Sequence, residues 1–414
     1  AYAAYDEGNG SNQNLIINYN EVGSGFSRGF SFNSAHNSQF IGNDIEIVDW
    51  GIYCYDCDST DFNYNEIYPG VDGFMTGGIH AQYAEGSNFI DNEILGFNES
   101  AIYFYGSSGS LVYNNTVADT NKQGGYINSG GWALNNESSD QNCIVRKNNV
   151  FRYSQDDGKY GIIAHSSIID SNYISIHYTY CWSSGTGISG NGSLIKDNIV
   201  YVYDGNSSCY SGTGIGGYGS SSNPTIVKNN VIYALGDIRG FWGSNAIVED
   251  NQFYGSYEGE DPFHFGGDNV SYTNNQYAIG GQENIIARNN SFTNFESGFR
   301  MENGTDCIAE YNDFTIHGGT GFDVDGGNNT IIEFNNIVMD GGNSYGMHFG
   351  SANITNIYRN TIVSKGTDNS GTGIRVEDNS HPVLNSNLIY GFDVGVDIAS
   401  DVYTMKFNLT NNVN

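Results

Sequence analysis

Proline is nearly absent from this chain, 4 in 414 residues, and cations are scarce, 15 Lys and Arg against 46 Asp and Glu. The lack of proline, together with the lack of a strict glycine period, excludes a collagen-type helix. The lack of cations excludes nucleic acid as a partner, because a phosphate-backbone binder needs basic residues gathered on one face. No apolar run approaches the roughly 18 residues needed to cross a bilayer as a helix, so no membrane insertion is expected of this segment. The chain opens AYAAYDEGNG, with neither initiator Met nor signal peptide, and reads as a mature form or an excised segment. Disorder is excluded as well. The net charge is −31, but 38% of residues are hydrophobic and 56 more are glycine, an ordinary apolar share for a globular protein.

What the chain has instead is a repeat. Two apolar residues, two variable residues, Asn, one variable residue and another apolar residue recur from end to end, as in LVYNNTV ending at Val117, IVRKNNV ending at Val150 and LIKDNIV ending at Val200. The Asn serves as phase marker. It stands at Asn20, Asn43, Asn65, Asn92, Asn115, Asn148, Asn172, Asn198, Asn230, Asn251, Asn275, Asn290, Asn312, Asn335, Asn360, Asn387 and Asn408, about 24 residues apart on average. A second phrase precedes most markers by about ten residues: Gly, apolar, variable, apolar, as in GIYC from Gly51, GIHA from Gly78, GFDV from Gly321 and GMHF from Gly346. Stretches rich in Gly, Asn and Asp separate the two phrases and read as turns.

Alternation at period two in runs of three to five residues, with no helical period, predicts an all-β protein. A unit of this length cannot bury its own apolar side, so units must stack, each adding one rung to several parallel sheets. The expected fold is a single continuous β-solenoid over residues 1–414, with about 16–17 coils and a length of roughly 75 to 80 Å at about 4.8 Å per rung. The marker amides are expected to bond from rung to rung and to tie down the adjacent bend. Longer loops are expected around 66–78, 118–142 and 203–224, where the rhythm lengthens. The rhythm also shortens, to 15 residues between Asn275 and Asn290.

The paired phrases resemble the repeat of right-handed parallel β-helix proteins of the pectin-lyase-like superfamily, of the microbial or archaeal surface type, over essentially the whole chain. The resemblance implies the fold and a bias toward carbohydrate, since the superfamily holds polysaccharide lyases, glycoside hydrolases, epimerases, tailspikes and surface proteins without known chemistry. EDPFH, from Glu260 to His264, is similar to the Asp-Pro-His element of alginate-modifying β-helices, but Phe263 interrupts it.

Within the Gly phrase the variable residue points outward, so coils stack these residues into a column. Its expected members are Ser31, Tyr53, His80, Tyr103, Ala133, Ile163, Ser189, Gly216, Trp242, His264, Arg300, Asp323, His348, Arg375 and Asp397. One reading makes the last part a catalytic strip: Asp323 or Asp325 as acid or base, His348 as partner, Arg300 and Arg375 orienting a carboxylated sugar. Asp323 and Asp325 would stand roughly 6.5 to 7 Å apart, a separation that glycoside hydrolysis uses. A second reading makes Tyr53, His80, Tyr103 and Trp242, with His264 and Asp397, a sugar-binding strip. A third is a solvated ladder that avoids stacking like charges on adjacent strands.

No cofactor is required by these readings. The acids, including Asp323 and Asp325, are compatible with Ca²⁺. Cys143 and Cys307 read as small core residues; Cys181 and Cys209 fall at matching places on successive coils and are disulfide candidates; Cys54 and Cys57 read as a turn disulfide or plain thiols. Twelve Asn-x-Ser/Thr sequons occur, with Asn98, Asn136, Asn206, Asn303 and Asn353 as glycosylation candidates.

Both ends read as bare strands, which leaves two readings open: a piece of a longer surface protein, or a subunit that pairs end to end into filaments. The expected function is a non-catalytic extracellular or cell-surface β-solenoid with a structural, adhesive or glycan-binding role. The alternative is a lyase or hydrolase acting on acidic polysaccharide through the outward column of the C-terminal half.

Overall fold

The computed structural model describes residues 2–6, 12–70, 75–119, 131–136, 142–154, 159–178, 185–204, 212–235, 238–255, 279–340, 344–365, 371–399, 404–406 and 409–411. They form two compact units, Ala1–Tyr210 and Ser211–Asn414. Among the described residues there is no helix.

In the first unit the coils after the first two are built from three short strands, and Asn12–Gln13 and Ala35–His36 add a fourth to the first two. Asp61–Asn63, Glu66–Pro69 and Met75–Gln82 make one coil, and Asn88–Ile90, Glu93–Leu95 and Phe97–Tyr103 make the next. They pair in parallel and in register, Asp61 with Asn88, Glu66 with Glu93 and Ile79 with Ile102. Alternate residues fall inward, so Phe40, Phe62 and Phe89 stack with ring centroids 5.3 and 5.0 Å apart and are fully buried. In two coils of the second unit the middle and last strands run together, as Ser291–Thr305 and Asp313–Asp325. Its core holds the same kind of stack, Phe253, Phe292 and Phe314, at 5.0 and 4.5 Å. Repeating one apolar side chain at one position is the device that lets so short a unit build a core.

The marker Asn forms the expected ladder. Asn65 donates its backbone N–H and its side-chain amide to Asn92 Oδ1, both at 3.0 Å, and gives the other amide hydrogen to the carbonyl of Phe40 at 2.8 Å. Its own Oδ1 accepts twice from Asn43. Asn312 repeats the pattern in the second unit, between Asn290 and Asn335. Each amide thus satisfies its two donors and two lone pairs while buried, which few other side chains can do.

The ladder also holds the bend. The residue before the marker has a left-handed backbone on coil after coil, for instance Tyr64 (φ 60°), Asp91 (55°), Phe334 (56°) and Arg359 (53°). For a bulky residue this costs roughly 1–2 kcal/mol, which the ladder's hydrogen bonds offset at about 1 kcal/mol each.

The ladder steps directly from Asn251 to Asn290, 39 positions on: Asn251 donates its N–H and its side-chain amide to Asn290 Oδ1, each at 3.0 Å. Asn275 and Asn408 themselves lie outside the described residues.

The glycine of the second phrase answers to close approach. A Cβ at Gly346 would stand 2.5 Å from the carbonyl oxygen of Gly373 on the next coil and 2.3 Å from Ile362 Cγ2, so no larger residue fits.

Of the expected loops, 66–78 holds strand at Glu66–Pro69 and from Met75 onward. In 118–142 the strand Gly131–Asn136 supplies its coil's Gly-phrase strand, paired to Lys159–Ala164. In 203–224 the strand Gly212–Tyr218 does the same, paired to Ile238–Ser244.

Candidate functional site

In the first unit the outward column runs by strand register through Ser31, Tyr53, His80, Tyr103, Asn135, Ile163 and Ser189. In the second it runs through Gly216, Trp242, Gly280, Arg300, Asp323, His348, Arg375 and Asp397. Two expected members are corrected. Asn135 replaces Ala133, because the inward residue of that strand is Leu134, wholly buried. Gly280 replaces His264, because Gly280 is the residue paired to both Trp242 and Arg300. His264 and the rest of EDPFH lie outside the described residues.

The aromatic members stack on each other. Tyr53 and His80 lie 4.4 Å apart at 17°, and His80 and Tyr103 4.7 Å apart at 24°. Arg28, ion-paired to Asp49 at 2.8 Å, covers Tyr53 at 4.4 Å, and Trp50 presents its edge to His80 at 5.0 Å. The ring faces of Tyr53 and His80 on which a sugar would stack are therefore taken by protein. Burial lowers the pKa of His80 to about 4, outweighing the opposing pull of Gln82 and Asp49. Trp242, half-buried, has the Arg239 guanidinium 4.0 Å from its ring centroid.

The charged members pair along the column. Arg300 Nε lies 3.6 Å from Asp323 Oδ2, and His348 Nδ1 is 2.8 Å from Asp323 Oδ1. His348 Nε2 is 3.2 Å from Glu377, and Arg375 bonds Asp397. The hydrogen bond to Asp323 raises the pKa of His348 against the opposing effect of burial, with Glu377 adding to the rise. Asp325 is exposed two residues along the same strand. Both Asp323 oxygens face Arg300 or His348, a poor start for Ca²⁺, which gathers six to eight oxygens.

The same alternation of sign occurs on the strand before the marker. Asp170 lies between Arg146 at 2.6 Å and Lys196 at 3.7 Å; burial pushes its pKa up, but Ser171 and the two cations outweigh this and hold it low. In the second unit Lys228 meets Glu249 at 3.0 Å, and Arg288 pairs with Glu310. Inside the first unit the fully buried Arg152 pairs with Asp119 at 3.2 Å.

A polar notch of about 220 Å³ in the second unit is lined by Glu333, Tyr358, Arg359, Asn385 and Ser386. It is smaller than the usual 300–1,000 Å³ of small-molecule sites. Beside it Tyr311 and Phe334 stack at 4.9 Å, and Arg359 covers Phe334 at 5.3 Å.

Cys54 and Cys57 form a disulfide, and Cys143 and Cys307 are wholly buried, as expected of small core residues. Cys181, Cys209 and Asn206 lie outside the described residues. Asn98, Asn136 and Asn303 are on strands, and Asn353 is exposed at the start of another. One cluster escaped the sequence reading: His36, Asp56 and Asp58, whose ligand atoms lie within 4.8 Å of one another. The signal was present, since the acids stand about one coil beyond the histidine.

Residues 243–413 match the family described as "Periplasmic copper-binding protein (NosD)". No curated protein matches the chain. Among solved structures it is similar to the Azotobacter vinelandii mannuronan C-5 epimerase AlgE6 A-module, at 13% identity and a TM-score of 0.44 over 94% of this chain and 91% of that one. Copper prefers imidazole, thioether and thiolate donors. In the matched stretch Met301, Met339, Met347 and Cys307 are sealed in the core and His348 is held by two carboxylates, so these five donors do not make a copper centre. Parallel strands stacked in register on a buried Asn ladder settle the architecture: the described coils of each unit form a parallel β-helix.

Proposed function

We propose that the chain is a non-catalytic, exported surface β-solenoid with a scaffolding and glycan-contacting role. One observation carries this reading. The groups of the outward column that look reactive are engaged with neighbours on adjacent coils, by the same alternation of sign that the wall before the marker uses where no chemistry was expected. A catalytic acid or base needs a free path to substrate and a partner set apart from the lattice of the fold. Export is supported by the Cys54–Cys57 disulfide, a bond typical of oxidising compartments, and by the periplasmic setting of the family matched over residues 243–413. For glycan contact the favoured place is the notch at Arg359, where hydrogen-bonding side chains sit beside an exposed aromatic edge.

The enzymatic alternative draws on one feature, the half-exposed Asp323–His348 pair with Arg300 beside it. Incubation with uronate-containing polysaccharides, with and without Ca²⁺, followed by absorbance of unsaturated ends and by reducing-sugar assay, separates the two. No turnover is expected. Turnover abolished by Asp323→Asn would overturn the non-catalytic reading.

A further inference from the structure

His36 and the two acids beside it belong to none of the ladders that explain the other charged residues. His36 closes the short strand Ala35–His36, and Asp56 and Asp58 lie in the turn after the strand Trp50–Tyr55 of the next coil. His36 Nε2 is 3.5 Å from Asp56 Oδ2, and Nδ1 is 3.6 Å from Asp58 Oδ2. Elsewhere in the molecule a histidine facing a carboxylate closes to a hydrogen bond, as His348 does with Asp323 at 2.8 Å. Here the oxygens stand off. One ion can take only one of the two ring nitrogens; the ligand atoms offered, one per residue, lie within 4.8 Å of one another, so a modest rotation of these side chains closes them on a tetrahedral ion with bonds of roughly 2.1 Å.

The turn is anchored independently of the cluster. Cys54 and Cys57, both wholly buried, are joined by the disulfide and flank Asp56, with Asp58 directly after. The backbone N–H of Glu85, one coil further on, donates to Asp58 Oδ1 at 3.0 Å, which leaves Oδ2 toward the histidine. The three side chains are partly exposed, so an ion can enter and keep water at the remaining positions.

We infer that His36, Asp56 and Asp58 form a binding site for a divalent transition-metal ion of the zinc type, which links two adjacent coils. One imidazole with two carboxylates suits such an ion better than Ca²⁺ or Mg²⁺, which prefer all-oxygen shells. The site lies outside residues 243–413 and is independent of the function proposed above.

Titration of the full chain with Zn²⁺ by calorimetry, in 150 mM salt with excess Mg²⁺ to fill weak acidic sites, tests it. One saturable Zn²⁺ per chain is expected, weakened at least tenfold by His36→Ala and by Asp58→Asn and unchanged by His381→Ala, an exposed histidine elsewhere. Zn²⁺ should also shield His36 of the unmutated protein from acylation by diethyl pyrocarbonate, read by peptide mass spectrometry, which keeps the test valid if a variant misfolds. Absence of saturable binding, affinity kept within twofold in His36→Ala, or no shielding of His36 would each overturn the site.

Discussion

Tyr53, His80 and Tyr103 in the first unit and Asp323, His348 and Arg375 in the second occupy the same place in the coil, one residue per turn at strand spacing, yet they solve that closeness by different physics. The first stretch stacks rings; the second alternates charge. A histidine sits inside each, and the two environments push it in opposite directions: burial holds His80 down at about 4, while Asp323 holds His348 up. The position in the repeat therefore fixes where a side chain points and how near its neighbours are. It leaves the chemistry free.

The largest effect expected from this contrast is acid sensitivity of the aromatic stretch. The folded-state pKa of His80 lies below the free imidazole value of 6.5, so its neutral form contributes fully above about pH 6.5 and the contribution falls away as the pH drops to about 4. At about 1.4 kcal/mol per pH unit over about 2.5 units, the loss is at most about 3.5 kcal/mol. His80→Phe keeps a ring in the stack and cannot charge. Its stability relative to the parent should rise between pH 7.5 and pH 4.5, measured by hydrogen exchange of residues 50–103. An unchanged difference across that range would show that the stack does not exclude the charged ring.

His348 has the opposite sign and a smaller size. Its raised pKa means that the protonated form contributes below about pH 6.5, and that the contribution is lost as pH rises through the folded value. His348→Gln is expected to cost on the order of 1 kcal/mol at pH 5.5 and little at pH 9, read from exchange protection of residues 344–350. An equal cost at both pH values would make His348 a packing residue and erase the contrast.

The marker explains how much of this was legible in the sequence. A buried Asn must recur once per coil and tolerates almost no substitute, so the all-β solenoid and the ladder could be read directly. The reading failed where chance imitated the period. Asn275 follows Asn251 by 24 residues, one mean repeat, and so passed for a rung, while the ladder goes from Asn251 to Asn290. The same false period drew His264 into a column where Gly280 belongs. Stacking directions were beyond the sequence: it could place Tyr53, His80 and Tyr103 on one face but could not tell that they turn toward each other. The His36 cluster was hidden for another reason. With 46 acids, two of them one coil beyond a histidine carry little signal until distances separate this cluster from the paired ones.

The smallest effect concerns salt, and the net charge makes it easy to misread. Raising NaCl from about 0.05 to 0.5 M shortens the screening length from roughly 14 to 4 Å. That weakens the exposed Arg375–Asp397 pair, but it also relieves repulsion among the acids of a chain carrying −31 charges, so the whole protein can gain stability while the pair loses it. Only a double-mutant cycle isolates the pair: Arg375→Gln, Asp397→Asn and both together, compared at the two salt concentrations. The coupling should fall from about 0.5–1 kcal/mol toward zero. The same cycle on Tyr53→Leu and Tyr103→Leu, whose rings flank His80 with no net charge, should give a coupling that salt does not move. If both cycles respond alike, the two stretches of column are held by the same force and the distinction between stacked rings and alternating charges fails.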